Sequence, residues 1–401
     1  MQQPLFLDTS TPRAVSPTLA LALALACGLI VANLYYVQPV TGLIGTYLGL
    51  APAQTGLLVT AAQLGYGLGL IVFVPIGDLI ENRLLALMSL IVAMAALMTI
   101  AFAQSSAAIL AAAFVVGLAC TLVQILLPYA AHFTTDADRG RVIGMLTSGL
   151  MLGIMLARPV ASFVTHYAGW RAVFALSAGL MALVAAVLAA AMPRYRPVAR
   201  LDYLEILRSL PGLLRELPIL RRRAAYHAAL YASFSLFWTA VPLLLAGPRF
   251  GLTQEGIGLF ALAGTGGVVI APLAGVIADR GWTRAATGCA IAAVLAAFAI
   301  ALTGGQQGSI ALLVIAALLI DGGLVINFVL SQRSIYGPRP GSRSRIGGLF
   351  TALFFCGGAI GSALAAASLV AGGWQLTSAI GMTFAAAALV LYAQELWQDR
   401  G

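Results

Sequence analysis

Runs of about twenty mostly apolar residues recur from one end of this sequence to the other, and no other feature limits its fold so severely. A helix rising 1.5 Å per residue needs about 20 such residues to cross the hydrocarbon of a bilayer. Twelve runs reach that length, at about 17–40, 54–76, 84–103, 107–131, 142–165, 170–192, 226–246, 255–277, 285–303, 308–331, 346–369 and 375–394. The chain is 61% hydrophobic and 9% charged, against about 25% charged in soluble domains, so a water-soluble globule cannot cover its apolar surface. The expected fold class is an all-α membrane protein of twelve transmembrane helices.

The N-terminal run follows Arg13 and continues past Cys27 toward Val40 without a small-residue cleavage site. It reads as the first span, not as a signal peptide. The arginine-rich stretch from Pro193 to Ala225 separates two apolar blocks. The expected division is 1–192 as an N-terminal six-helix bundle, 193–225 as a basic linker and 226–401 as a C-terminal six-helix bundle. Within the linker, Leu201 to Leu220 mixes apolar and charged residues at helical spacing. That fits a short helix lying on the inner leaflet or a solvated connector.

Charge sets the orientation. All 22 basic residues are arginine; 19 fall in the loops and tails on the linker side, Arg171 and Arg249 fall in loops on the other side, and Arg158 lies within a span. Arg-rich short loops stay cytoplasmic, so the linker and both termini are expected inside, in the cell's inner membrane. The net charge of +9 does not point to nucleic acid, because the arginines are dispersed among short loops.

The two blocks repeat. Gln54-Thr55-Gly56 recurs as Gln254-Glu255-Gly256, and Asp78 with Arg83 recurs as Asp279 with Arg284. Arg141, Gly144, Gly153 and Gly169-Trp170 recur as Arg345, Gly348, Gly357 and Gly373-Trp374. Two six-span bundles repeated in parallel flank a central site in transporter architectures.

The chemistry-bearing residues are few. Asp321 is the one acid deep inside an apolar run. A charge at the bilayer centre costs roughly 2.5–3.5 kcal/mol on insertion scales, so Asp321 must face water, find a partner or bind a proton. It is the candidate proton-coupling residue. Arg158 is a candidate for an anionic substrate group, for pairing with Asp321, or for outward snorkelling. Asp78 and Arg83, with Asp279, Arg280 and Arg284, form charge clusters at helix ends that fit a gate or a topogenic anchor. Small residues in spans two, five, eight and eleven fit a sliding contact between halves.

Cys27, Cys120, Cys289 and Cys356 form no C-x-x-C pair, and His132, His166 and His227 are scattered. No metal site, cofactor site, nucleophile–base constellation or nucleotide-binding loop follows, so no enzyme is expected.

Gly275, Asp279, Arg280 and Arg284, with Asp78 and Arg83 in the first half, resemble the inner-loop motif of the major facilitator superfamily; Val74 stands where that motif has its first glycine. The stretches Asn33 to Pro39, Gly153 to Pro159, Gly169 to Arg171 and Asp321-Gly322-Gly323 are similar to those of its twelve-span drug/proton antiporter and arabinose-efflux-permease group. The resemblance implies alternating access and proton-coupled efflux of a small organic solute or drug by a monomer in the bilayer. It also implies a cavity lined by spans one, four, seven and ten. Asn33, Tyr36, Gln124, Tyr231, Trp238 and Asn327 are then, with Arg158, the candidate substrate-binding residues; Gln63 and Gln332 are further polar positions. Two departures keep a proton-coupled importer or a uniporter open. Many antiporters carry an arginine in span four, whereas this span has none, with Ala113 near that position, and Arg158 replaces the glycine before Pro159. A non-transporting scaffold or receptor is the alternative of another class.

Overall fold

The protein is described by a computed structural model over residues 16–197, 202–264, 266, 276, 280–336 and 343–398; among these, helix is the only regular secondary structure. A hydrocarbon core offers the backbone no water, so each apolar run closes its own N–H and C=O groups as a helix.

The first half comprises α1 (Pro17–Ala32), α2 (Thr41–Tyr47), α3 (Leu57–Val72), α4 (Asn82–Phe102), α5 (Ser106–Cys120), α6 (Val123–His132), α7 (Asp136–Ala168) and α8 (Trp170–Ala191). A connecting helix α9 (Tyr203–Glu216) leads to α10 (Pro218–Ala246), α11 (Gln254–Gly264), α12 (Thr283–Gln307), α13 (Ile310–Tyr336) and α14 (Arg343–Gln398). Among the described residues nine helical segments are long and apolar enough to cross a membrane.

The remaining expected spans have local explanations. The first span is α1, a run of turns to Gln38, and then α2. Pro39 has no N–H to continue the helix. The eighth span is described only as α11. The last two spans are both contained in α14, whose 56 residues would extend about 84 Å as one helix. It is broken at Gly372 and Gly373, the latter at φ 62°. Gly169, between α7 and α8, sits at φ 78°. Both positions demand a residue without Cβ, and a tryptophan follows each. The repeated Gly-Trp pair therefore marks the same corner in each half.

Glycine also sets close crossings. A Cβ added at Gly28 of α1 would stand 2.5 Å from the Gly149 carbonyl oxygen of α7, and Gly153 packs on the backbone of Gly28. Gly357 and Gly361 of α14 pack on the carbonyls of Ala228 and Ala232 of α10 in the same way. These contacts lie within one half, so only part of the small-residue set falls at the expected contact between halves. Gly56 and Gly358 do lie between halves, against Ser362 and Gln63 respectively. There α3 packs on α14 and α7 on α11.

The linker also departs from expectation. Pro218 to Ala225 are the first turns of α10 and not connector. Helix α9 forms, capped by the reciprocal Asp202 and Glu205 bonds, but its apolar face lies on protein. Ile206, Leu210 and Leu213 are buried. The Tyr203 hydroxyl donates to the Val72 carbonyl at 2.9 Å, and Arg345 Nη1 donates to Ser209 Oγ at 2.9 Å. The helix thus fastens to the end of α3 in the first half and to α14 in the second.

Arg223, at the start of α10, is buried and pairs with Glu395 near the end of α14 at 3.1 Å, while also donating to Thr287 of α12.

Candidate functional site

The two isolated charges of the apolar runs come together midway along the bundle. Arg158 is 2% exposed and Asp321 4%. The indole of Trp238 stands between them. Its Nε1 donates to Asp321 Oδ1 at 2.7 Å, and its ring centroid lies 4.3 Å from the guanidinium carbon of Arg158. Tyr35 and Phe234 add faces at 5.1 Å each, so aromatic quadrupoles surround the cation. Arg158 Nε donates to Gln38 Oε1 at 2.6 Å. Among the described residues no carboxylate oxygen lies within ion-pair distance of Arg158. The cluster draws on both halves: Tyr35, Gln38 and Arg158 from the first, Phe234, Trp238 and Asp321 from the second.

On the side toward α9, aromatic side chains close the site. The hydroxyls of Tyr35 and Tyr231 share a hydrogen bond at 3.2 Å. The Tyr231 ring packs on Phe354 and Phe355, Tyr66 lies 4.4 Å from Phe355, and Gln124 Nε2 donates to the Tyr66 hydroxyl at 3.2 Å. Beyond Gln124 a cavity of about 200 Å³ opens between the halves, reached by Asp78, Tyr195 and Arg345. On the opposite side the halves are joined. Thr60 and Ser362 share a hydrogen bond at 2.9 Å, Gln63 Nε2 donates to Ser235 Oγ at 2.8 Å, and His166 meets Glu255 at 3.6 Å.

Of the expected substrate residues, Arg158, Tyr231 and Trp238 join this cluster, and Gln124 lies at the inner limit of the cavity. The others point elsewhere. Asn33 donates to the Leu29 and Ile30 carbonyls and accepts from Ser177, which ties α1 to α8. Tyr36 lines a lateral crevice with Val160, Leu176 and Leu180, whose side chains are exposed on the outside of the bundle. Asn327 Oδ1 is paired with His227 Nδ1 at 2.8 Å beside Phe328, Phe350 and Phe354. The turn after α1 explains the exchange of Asn33 and Tyr36 for Tyr35 and Gln38. It shifts the facing residues, and the signal available beforehand was a polar residue directly before a helix-breaking proline.

The expected gate residues also separate. Asp78 faces the cavity, and Arg345 is the cation whose charge it feels. Arg83 instead donates to the carbonyls of Ala189 and Met192, at the C-terminal end of α8 where helix carbonyls lack partners. Burial, and then the Asp78 carboxylate, raise the phenol of Tyr195 above its ordinary value. Asp279 lies outside the described residues. Arg280 and Arg284 are exposed after that segment. Arg345 was noted in the sequence only as a repeat partner of Arg141; its place opposite Asp78 depends on the halves' packing.

Comparison with known proteins follows the same outline. The profile described as Major Facilitator Superfamily matches residues 21–337. An uncharacterized transporter of Escherichia coli O157:H7, YgaY, is 35% identical over 378 residues, covering 94% of this chain and 95% of that one. A probable transporter of Streptomyces coelicolor is 34% identical over 355 residues, covering 88% and 81%. Among solved structures, a mutant of the nucleoside transporter NupG superposes with a TM-score of 0.74 at 13% identity, covering 93% of this chain and 98% of that one. A POT family transporter in complex with a thioalcohol-conjugated peptide gives 0.72 at 13%, covering 95% and 96%.

Proposed function

This chain belongs to the Major Facilitator Superfamily, and from that premise we propose that it is a proton-coupled secondary carrier that expels a small organic solute by alternating access. As in its family, the protein is a multi-pass membrane transporter with two helical bundles. The observation that carries the finer reading is the Arg158–Trp238–Asp321 arrangement, built from both halves and closed toward both ends.

Asp321 exchanges the proton. As a carboxylate it accepts a charge-assisted hydrogen bond from Trp238; protonated, it accepts a weaker one. Trp238 is then freer to turn, and its face also holds Arg158. Proton binding in the second half thereby loosens a contact with the first. Asp78 and Arg345 act as the gate at the cavity mouth, with Tyr35 and Tyr231 as the inner barrier. In this reading the α9 end and both termini face the cytoplasm across the inner membrane, and the arginine distribution supports that orientation. The monomer suffices, since one chain supplies both halves of the site.

One observation favours import as the second reading. Arg158, the centre of the site, occupies the position where the antiporter stretch has a glycine. Proteoliposomes with an imposed pH gradient test both. Solute should accumulate in the compartment that the gradient favours, and Asp321→Asn should abolish accumulation while leaving gradient-free exchange. Uphill transport by Asp321→Asn would remove the proton role.

A further inference from the structure

We infer that the solute carries an anionic carboxylate-type head received by Arg158 and Gln38, with an apolar ring or chain received by Trp238, Phe234 and Tyr35. This rests on the chain being a carrier and assigns the substrate class of that same site.

The inference begins with two nitrogen donors. Arg158 Nη2 and Gln38 Nε2 are both buried and neither meets an acceptor. Gln38 is 1% exposed. A buried donor without a partner costs about 1–3 kcal/mol, and more when charged, so two of them on a pair of hydrogen-bonded groups mark a place made for an acceptor. Their directions are fixed together. Gln38 Oε1 takes the Arg158 Nε proton, which commits the other end of the amide to donation. The site therefore offers a guanidinium N–H and an amide N–H from groups already bonded to each other. A carboxylate matches that pair, because it accepts on two oxygens and donates on none.

Charge decides between a carboxylate and a neutral carbonyl. Asp321 is turned to the indole N–H, and the ring separates it from the guanidinium. Arg158 is thus left with aromatic faces and a neutral amide as its direct neighbours. A cationic solute would have to sit against a fixed positive charge in a low-dielectric site. An anion instead brings a counter-charge into direct contact with Arg158, which Asp321, bonded to the far edge of the indole, does not. The rings fit the rest of the molecule: Trp238, Phe234 and Tyr35 now lie over the guanidinium, and an apolar body inserted with the head would exchange that contact for ring stacking.

The test is thermal unfolding of the purified full chain in detergent against matched probes: benzoate, phenylacetate and octanoate, with benzamide and benzylamine as neutral and cationic counterparts. Carboxylates should raise the Tm in a saturable manner, and the amide and amine should not. Arg158→Lys should weaken carboxylate affinity about tenfold or more by losing the planar fork, and Gln38→Met about tenfold. Gln38→Met leaves Arg158 in place, so it stands as the variant of choice should Arg158→Lys fail to fold. The inference is overturned if no carboxylate stabilises the protein, if amide or amine matches it, or if both variants bind carboxylates as the parent does. Asp321→Asn separates this from the proton reading. It should keep carboxylate binding while losing gradient-driven accumulation; accumulation that persists together with Arg158-dependent binding removes the proton role and leaves the anion site standing.

Discussion

At the scale of single residues, burial of charge discriminates best. Asp321 and Arg158 were legible because each interrupts a long apolar run, and an isolated charge there demands a partner. Arg223 was not, since it stands in a cluster of arginines that reads as connector. The fold turns it inward onto Glu395, with both side chains about 5% exposed or less. Removing one member of such a pair strands the other and costs about 3–5 kcal/mol, whereas replacing both with apolar residues is often neutral. Glu395→Ala should therefore lower the unfolding temperature markedly, and Arg223→Met with Glu395→Leu should restore most of the loss. Equal losses in the single and double variants would show that packing, not charge, holds these helix ends.

At the scale of elements, hydropathy located the spans but not their breaks. The turns from Asn33 to Val37, directly after α1, exchanged the facing residues of the first span. The resemblance, with span one lining the cavity, pointed to Asn33 and Tyr36, whereas the folded chain presents Tyr35 and Gln38 to the site. The corners at Gly169 and Gly373 were legible as a repeat, though their left-handed backbone was not. Helix α9 was legible as amphipathic, but the pattern alone does not say whether lipid or protein covers the apolar face. Leu210 is buried there while Leu204 is 52% exposed. Leu210→Asp should release α9, seen as faster protease cleavage between α8 and α10, because burying a carboxylate without a partner is costly. Leu204→Asp should leave the cleavage rate unchanged. Similar cleavage of both would mean that α9 is not held by its apolar face.

At the scale of the whole molecule, the internal repeat and the family resemblance foretold the two-bundle architecture. The pairing of groups across the bundles was hidden, because it depends on how the halves meet. Asp78 of the first half facing Arg345 of the second is the clearest case. If the pair is the proposed gate, Asp78→Asn should slow transport severalfold with little change in equilibrium solute binding, since a gate biases states without touching solute. Exchanging the two charges, Asp78→Arg with Arg345→Asp, should recover part of the rate. Loss of binding at unchanged turnover would place Asp78 in the solute path instead. Helix α9 adds a mechanical consequence. It is fastened to Val72 on one side and through Ser209 to Arg345 on the other. A tie fixed to both jaws of a hinge limits how far they swing apart, and one fastening must slip before the jaws can open wider. On the proposed alternating-access reading the connector sets the length of the stroke, and Arg345, the cation of the proposed gate, is also the peg to which that tie is hitched.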